Sequence, residues 1–396
     1  MGFANNGHPA ILILTGNLGD GHRQAASAIA DTAARLYPGA RIRVVDITEG
    51  KYPRLNRLSQ YLYMLWITKF PWVYGYLFKK TKEKTVLSHC LKRLPLYSLD
   101  KLRKLLGQME PSVVVSTFPA ASAAISRMKE KGLTAVPAIT VITDHTYHSY
   151  WLHPGTDRYI VGSEHVRQAL RRWPVPDGKI AVTGIPIRRA FAAPQEKRML
   201  RQRLGFDSDL PLVMIMGGGC GLIGGNWAGL LADPGLLDKP VQVIIVCGRN
   251  EELRERLIRE MKDYPHRLIV QGYVDNVHEL MAAADLLITK PGGLTSSEAL
   301  ASELPMLLYK PLPGQEYDNA AYLTAIGAAV QARNQEEFVR HLAGLLKNPQ
   351  QLAQMKASTR LFGRRESAES AVRAIMETAH TPLEAVPIRH KVYAKA

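Results

Sequence analysis

Residues 10–36 read AILILTGNLGDGHRQAASAIADTAARL. Ala10 to Thr15 form a short, nearly all-apolar run, which is the pattern of a strand buried on both faces. A glycine-rich turn, Gly16 to His22, follows directly, and from Gln24 to Leu36 the spacing becomes helical. Strand, glycine turn and helix are the opening unit of a doubly wound α/β domain. Similar strands are expected at 41–46 (RIRVVD), 112–117 (SVVVST) and 138–144 (AITVITD), with a helix over Ala120–Lys131. A second series comprises 212–216 (LVMIM), 241–246 (VQVIIV), 267–270 (RLIV), 286–289 (LLIT) and 306–309 (MLLY). Two series joined by right-handed crossovers predict two Rossmann-like doubly wound domains. Residues 1–190 would form the first domain and 211–380 the second. Residues 191–210, rich in Pro, Ala and Arg, would be a linker, and 381–396 a frayed basic tail. No short-period repeat points to a solenoid.

The 396 residues are 46% hydrophobic and 22% charged, an ordinary globular balance, with a net charge of +16. That excess calls for an anionic partner. It is concentrated in residues 51–108, which hold 13 Lys or Arg against 2 acids and 10 of the 29 aromatics. The stretch is too long for a crossover and reads as an insertion in the first domain, where specificity is often carried. Leu55, Leu58, Leu62 and Leu65 fall at helical spacing with Arg54 and Arg57 off that stripe. Lys69 to Lys84 interleave five lysines with Phe70, Trp72, Tyr74, Tyr76 and Phe78. Cations laced with aromatics suit a membrane interface, a nucleic-acid surface, or a helical subdomain with a solvated basic face. Lys69 and Pro71 interrupt the apolar window 61–78, so a spanning helix is not expected. Cys90, Cys220 and Cys247 lie far apart, which predicts neither a disulfide framework nor a zinc site and suits a reducing compartment. No basic n-region or cleavage site precedes Ala10, so a soluble protein without a signal peptide is expected.

The first glycine turn has the order GxxGxGH, not the GxGxxG of dinucleotide-binding domains, although Asp46 ends the second strand where a dehydrogenase would hold a ribose. His22 sits at the helix start, where imidazolium is disfavoured; it is a candidate neutral general base, or only a capping or packing residue. Asp144 ends the VITD strand on the side where such domains bind ligands, placed to orient His22 or stabilise its protonated form. Residues 143–153 hold three histidines, but a loop gives His145 and His148 no fixed geometry and no acid or thiol cluster completes a shell. No metal is expected. In the second domain, the loop containing Gly217 and Gly218 follows the first strand, and KPGGLT (290–295) opens a helix containing Glu298. Backbone amides and the helix dipole there could hold a diphosphate. TSSE (295–298) also fits a capping box, which would tie Glu298 to its own helix start. Gln315, Glu316 and Asn319 offer donors and acceptors for sugar hydroxyls, or merely begin a helix. DSD (207–209) matches a metal–nucleotide DxD formally but reads as an acidic turn.

Together these segments resemble the diacylglycerol glycosyltransferases related to plant monogalactosyldiacylglycerol synthase and, more closely, to the bacterial processive β-glucosyltransferases. The resemblance covers roughly residues 10–377 through GNLGDGH, STFP (116–119), VITD, VTGIPI (182–187), VCGRN (246–250), GYVDNVHELM (272–281), ITKPGGLTSSEA and YKPLPGQEYDNA. It implies a GT-B fold with the site in the interdomain cleft, and inverting transfer of a hexose from a UDP-hexose to diacylglycerol without a metal or other cofactor. Gly292, Gly293, Thr295 and Ser296 would hold the diphosphate, with Gly217, Gly218 and Arg249 on the same donor side. Glu298 would hold the ribose, and Gly272 and Val274 the uracil. Gln315, Glu316 and Asn319 would contact the hexose, with His22 and Asp144 at the acceptor. Trp66, Trp72, Tyr76, Lys79, Lys80 and Lys82 would meet anionic membrane lipids at the inner face of the cell membrane, and nucleic acid is not an expected partner. Plant relatives carry GPGT and GGGH where this chain has PGGL and GDGH, which favours glucose over galactose. A UDP-sugar epimerase on the same fold is the competing enzyme class, and a non-catalytic lipid- or nucleic-acid-binding module the competing non-enzyme.

Overall fold

The computed structural model describes residues 8–17, 19–48, 69–83, 98–173, 175–193, 195–219, 221, 240–264 and 267–380. The expectations for Trp66, Lys84, the leucine stripe 55–65 and the tail 381–396 fall outside the described residues.

The first sheet contains β1 (Ala10–Thr15), β2 (Arg41–Asp46), β3 (Val113–Ser116), β4 (Ala138–Val141), β5 (Arg158–Val161) and β6 (Ile180–Val182). Its order is β2-β1-β3-β4-β5-β6, every pair parallel. Among these strands run helices α1 (Asp20–Leu36), α2 (Pro71–Lys82), α3 (Leu99–Met109), α4 (Pro119–Glu130) and α5 (Glu164–Arg171). The second domain adds α6 (Lys197–Arg203), β7 (Leu212–Met216), β8 (Gln242–Val246), α7 (Glu251–Glu260), β9 (Leu268–Gln271), α8 (Val277–Ala283) and β10 (Leu286–Thr289). It continues with α9 (Gly293–Ala301), β11 (Met306–Tyr309), α10 (Gln315–Ala325), β12 (Ala329–Ala332), α11 (Gln335–Lys347), α12 (Pro349–Phe362) and α13 (Ser367–His380). Its strands are again all parallel, in the order β12-β11-β10-β7-β8-β9.

β1 shows why the apolar run is uninterrupted. Ile11 and Ile13 face Ala26, Ile29 and Ala33 of α1, while Leu12 and Leu14 face Leu102, Leu105 and Leu106 of α3. Successive side chains enter opposite layers, so both must be apolar. The strand orders also locate the ligand crevices. In the first sheet the order reverses beside β1, and in the second between β7 and β10, so the three glycine loops after β1, β7 and β10 all lie at switch points.

Two domain boundaries differ from expectation. Residues 191–210 are not a loose linker: Ile187, Phe191, Leu200 and Phe206 are buried in the second domain's core. The buried guanidinium of Arg201 donates to Ala283 O (2.9 Å), Ser208 O (3.0 Å) and Leu210 O (3.1 Å), and pairs with Asp285. Asp207 Oδ1 accepts from Asp209 N at 2.8 Å, so the DSD segment is the acidic turn expected of it. The second boundary concerns α13, which returns to the first domain and buries Ala371, Val372, Ala374, Ile375 and Met376 against Ile11, Ile13, Ala26 and Ile29. Helical periodicity specifies an apolar face but not which of two sheets receives it. Among the described residues no helix is long and apolar enough to cross a membrane.

Candidate active site

The β1 turn brings His22 to the cleft. Gly19 precedes α1 at φ 112, ψ 145, a backbone region that L side chains rarely adopt, and this abrupt entry places His22 in the helix's first turn. Thr117 Oγ1 donates to His22 O at 3.0 Å, anchoring the backbone. The ring lies edge-on to Phe118 (5.2 Å between centroids) and 6.0 Å from Trp151. Its Nδ1 is 2.9 Å from Thr143 Oγ1. Burial lowers the His22 pKa from its ordinary 6.5 to about 4, so the ring is neutral at physiological pH. Desolvation, which the sequence reading did not weigh, is the dominant cause.

The expected Asp144–His22 pair is absent. Asp144 Oδ1 instead accepts from Asn319 Nδ2 at 3.1 Å, across the domain boundary. Thr143, its neighbour, takes the imidazole, because consecutive residues leaving a strand project to opposite sides. Burial raises the Asp144 pKa to about 6, with the Asn319 bond opposing the rise and Asp318 adding to it.

Asn319 is a staple between the two domains. It is fully buried; Nδ2 also donates to Pro291 O (3.0 Å), and Oδ1 accepts from His145 N (2.8 Å). Nearby, Ser297 Oγ donates to Gly293 O at 2.9 Å and lies 3.1 Å from His145 Nε2. A hydroxyl has one proton, so with that proton on Gly293 O it accepts from Nε2–H and fixes the tautomer of His145. His148 serves different neighbours, accepting from Tyr150 N through Nδ1 (3.1 Å) while Nε2 approaches Phe78 O (3.3 Å). The loop histidines therefore diverge, and among the described residues no three His, Cys, Asp or Glu side chains are grouped to hold a metal. At the other side of the cleft, Arg249 binds Asp20 through both carboxylate oxygens (2.9 and 2.7 Å) and lies over the Tyr273 ring. A Cβ on Gly219 would lie 1.9 Å from Asp20 Oδ2, so this glycine permits the close approach. Gly217 and Gly218, at φ +73 for the latter, immediately precede it.

The second-domain side of the cleft centres on α9. A Cβ on Gly293 would lie 2.1 Å from Thr143 O, so the helix start abuts the first domain's β4 loop. The intrahelical ladder begins with Ser296 N donating to Gly292 O, leaving the amides of Gly293, Leu294 and Thr295 ahead of it. Ser296 Oγ is fully buried with no hydrogen-bond partner among the described residues. Gly292 is the N-cap and makes no side-chain cap bond, so Thr295 to Glu298 lie inside the helix and the capping-box reading of Glu298 fails. Glu298 is 7% exposed, and burial pushes its pKa up to about 7, against the pull of Arg188. Arg188 donates to Asp275 O at 3.1 Å, linking this carboxylate to the Gly272–Met281 segment, where Val274 packs on the core. Sequence reading missed Arg188; its position directly after VTGIPI was the available signal.

On α10, Glu316 Oε2 accepts from Leu312 N at 2.6 Å and closes its own turn, and burial raises its pKa. Gln315 Oε1 accepts from Tyr74 OH of α2 at 2.9 Å. α2 has two faces. Trp72 (72% exposed), Tyr76 (61%), Lys79 and Lys80 project outward, whereas Tyr74, Phe78 and Thr81 turn inward. Lys82 belongs with the second group: it pairs with Asp318 at 2.6 Å and lies over the Tyr147 ring, so it is not membrane-facing as expected.

Residues 22–187 match the monogalactosyldiacylglycerol (MGDG) synthase family, and residues 213–374 the glycosyltransferase family 28 C-terminal domain. Processive diacylglycerol beta-glucosyltransferases of Bacillus cytotoxicus and Bacillus thuringiensis are each 32% identical over 393 residues, covering 98% of this chain and 99% of the relative. Among solved structures, MurG of Acinetobacter baumannii superposes with a TM-score of 0.60 at 16% identity, over 93% of this chain and 99% of that one. HepE of Anabaena in complex with UDP-glucose gives 0.54 at 16% identity, over 94% and 99%. These structures establish the two-domain GT-B architecture, and the full-length identity establishes more: the chain belongs to the family of the processive diacylglycerol β-glucosyltransferases.

Proposed function

We propose that this protein transfers glucose, with inversion, from UDP-glucose to the hydroxyl of diacylglycerol, and then to the glycolipid so formed. The observation that carries the reading is the meeting, in one cleft, of a neutral, half-buried imidazole and a helix start free of acidic residues, in a chain whose full-length relatives are diacylglycerol glucosyltransferases. The lipid hydroxyl attacks the anomeric carbon opposite UDP; its oxygen forms the new glycosidic bond, and the bond to phosphate breaks with its electron pair on UDP. The displaced proton goes to His22 Nε2, with Thr143 Oγ1 accepting from Nδ1–H and so keeping Nε2 bare. The amides opening α9, with Thr295 and Ser296, receive the diphosphate, and Glu298 accepts from the ribose hydroxyls.

The protein works as a peripheral enzyme on the inner leaflet, its α2 outer face of Trp72, Tyr76, Lys79 and Lys80 seated among anionic headgroups. No metal takes part, since the helix start meets the diphosphate charge. The test is turnover of UDP-glucose and UDP-galactose on diacylglycerol vesicles, with products resolved by chromatography and anomeric configuration read by NMR. β-Glucosyldiacylglycerols are expected; a galactolipid product would instead favour the reading suggested by the MGDG synthase match over residues 22–187. Epimerised UDP-sugar without glycolipid would refute both.

A further inference from the structure

α2 is gripped by both domains. On the first-domain side, Ser149 Oγ donates to Thr81 O at 2.6 Å and the Phe78 ring lies 4.5 Å from His148. On the second-domain side the helix rests on the Pro313–Gln315 turn. A Cβ on Gly314 (φ +106) would come within 2.9 Å of the Tyr74 ring and 3.2 Å of Phe78, and one on Gly75 within 2.6 Å of Pro313. The missing side chain on each partner thus lets the other's ring seat directly against its backbone, holding Tyr74 in fixed register. From there its hydroxyl reaches Gln315 Oε1 at 2.9 Å.

Gln315 begins α10 and Asn319 follows one helical turn later, on the same face. Asn319 touches Pro291 of the α9 entry loop and Asp144 of the acceptor wall, so Gln315 stands beside the walls between which a hexose must sit. A glutamine amide ends in one acceptor and one two-proton donor of nearly equal shape, and only its neighbours decide which way it faces. A phenol can donate to Oε1, and doing so turns Nε2 away from Tyr74.

We propose that Tyr74 is a positioning residue for the donor sugar: it locks the Gln315 amide so that Nε2 is presented as a donor to a hexose hydroxyl oxygen. The inference rests on the UDP-hexose reading above. It makes a residue of the basic, aromatic insertion a determinant of donor recognition, through a residue of the opposite domain.

Tyr74→Phe removes one hydroxyl and keeps the ring against Gly314. In the full-length protein, the expected result is a three- to tenfold rise in KM and Kd for UDP-glucose, about the value of one neutral hydrogen bond. Affinity for UDP itself, which lacks the hexose, should stay at the wild-type value, and the melting temperature should fall by no more than about 2 °C. The preference between UDP-glucose and UDP-galactose should narrow. Gln315→Ala should show the same pattern, and the double variant should be no worse than Gln315→Ala alone. An unchanged UDP-glucose KM in Tyr74→Phe, an equal loss of UDP binding, or additive effects in the double variant would each overturn the proposal. Failure of the wild-type protein to bind or turn over either UDP-hexose would instead overturn the reading beneath it.

Discussion

Glu298 should be a residue the fold tolerates at a cost. Its carboxyl is 7% exposed, has risen from an ordinary 4.5 to about 7, and owes the rise chiefly to burial. At about 1.4 kcal/mol per pH unit, ionising it in the unliganded protein costs about 3–4 kcal/mol at most. The sign follows from proton counting: between pH 4.5 and 7 the folded chain holds a proton that the unfolded chain has released. Stability from this group therefore declines as pH rises through that window, and the whole penalty is present above it. Glu298→Gln removes the ionisation and keeps the volume. At pH 8 the variant should melt about 7 °C above wild type, taking roughly 2 °C per kcal/mol, and at pH 4.5 the difference should nearly vanish. UDP-glucose binding should move the opposite way. Exchanging charge-assisted bonds to the ribose for neutral ones forfeits about 1–2 kcal/mol, or roughly five- to thirtyfold in Kd. Wild-type affinity should also fall as pH drops below 7, since binding must expel the Glu298 proton, and this dependence should be lost in the variant. Differential scanning fluorimetry and calorimetry at pH 4.5, 6 and 8 would measure both. A melting difference independent of pH, or unchanged UDP-glucose affinity, would refute the claim that this buried carboxylate waits for the ribose.

Other substitutions separate the remaining roles. His22→Ala should lower kcat by about 10²–10⁴, the usual range for general-base assistance, while UDP affinity is kept; near-full turnover would remove His22 from the mechanism. Because burial holds the His22 pKa near 4, its protonation should depress the rate only towards that pH, with no inflection of its own near 6.5. Lys79→Glu with Lys80→Glu should abolish sedimentation with anionic vesicles, as should high salt, at about 1 kcal/mol lost per cation before reversal is counted. Lys82→Glu should act differently, setting two carboxylates together at Asp318 and lowering the melting temperature. EDTA should leave turnover of a water-dispersed acceptor unchanged.

How far the sequence carried this reading depended on whether a feature was local. β1, β7, β10 and β11 run over the expected residues because a buried parallel strand needs a continuous apolar run, whereas β2 keeps its expected bounds but is an edge strand with no fully buried residue. β5, β6 and β12 were not read: they span three or four residues, and ARG–TYR–ILE–VAL or AVQA could begin many structures. At the site, Gly293 stood out as a glycine and Gly219 follows the Gly217–Gly218 pair, but their reason is a carbonyl and a carboxylate of the other domain. Asn319 was chosen for an amide that can meet hydroxyls, yet the same donors and acceptor are consumed by Pro291, Asp144 and His145. The residue type was legible. Its partners, 28 to 175 positions away, were not.

The charges around the cleft favour one helix start over the others for the proposed diphosphate site. α1, α9 and α10 all open towards it, and each start carries about half a positive charge. α1 has Asp20 in its first turn, and α10 has Glu316 and Asp318, so those ends already face carboxylates. α9 begins Gly-Leu-Thr and has no acid in its first turn. The Asp20 carboxylate is in turn paired with Arg249, which bridges the α1 start to the second domain and leaves α9 as the start with no acid in its first turn. In the proposed reaction, negative charge grows on UDP where the acid-free α9 start points, while the proton moves to His22 on the wall opposite. The two developing charges are thus stabilised by different domains across a cleft held closed by Asn319, Arg249 and Lys82.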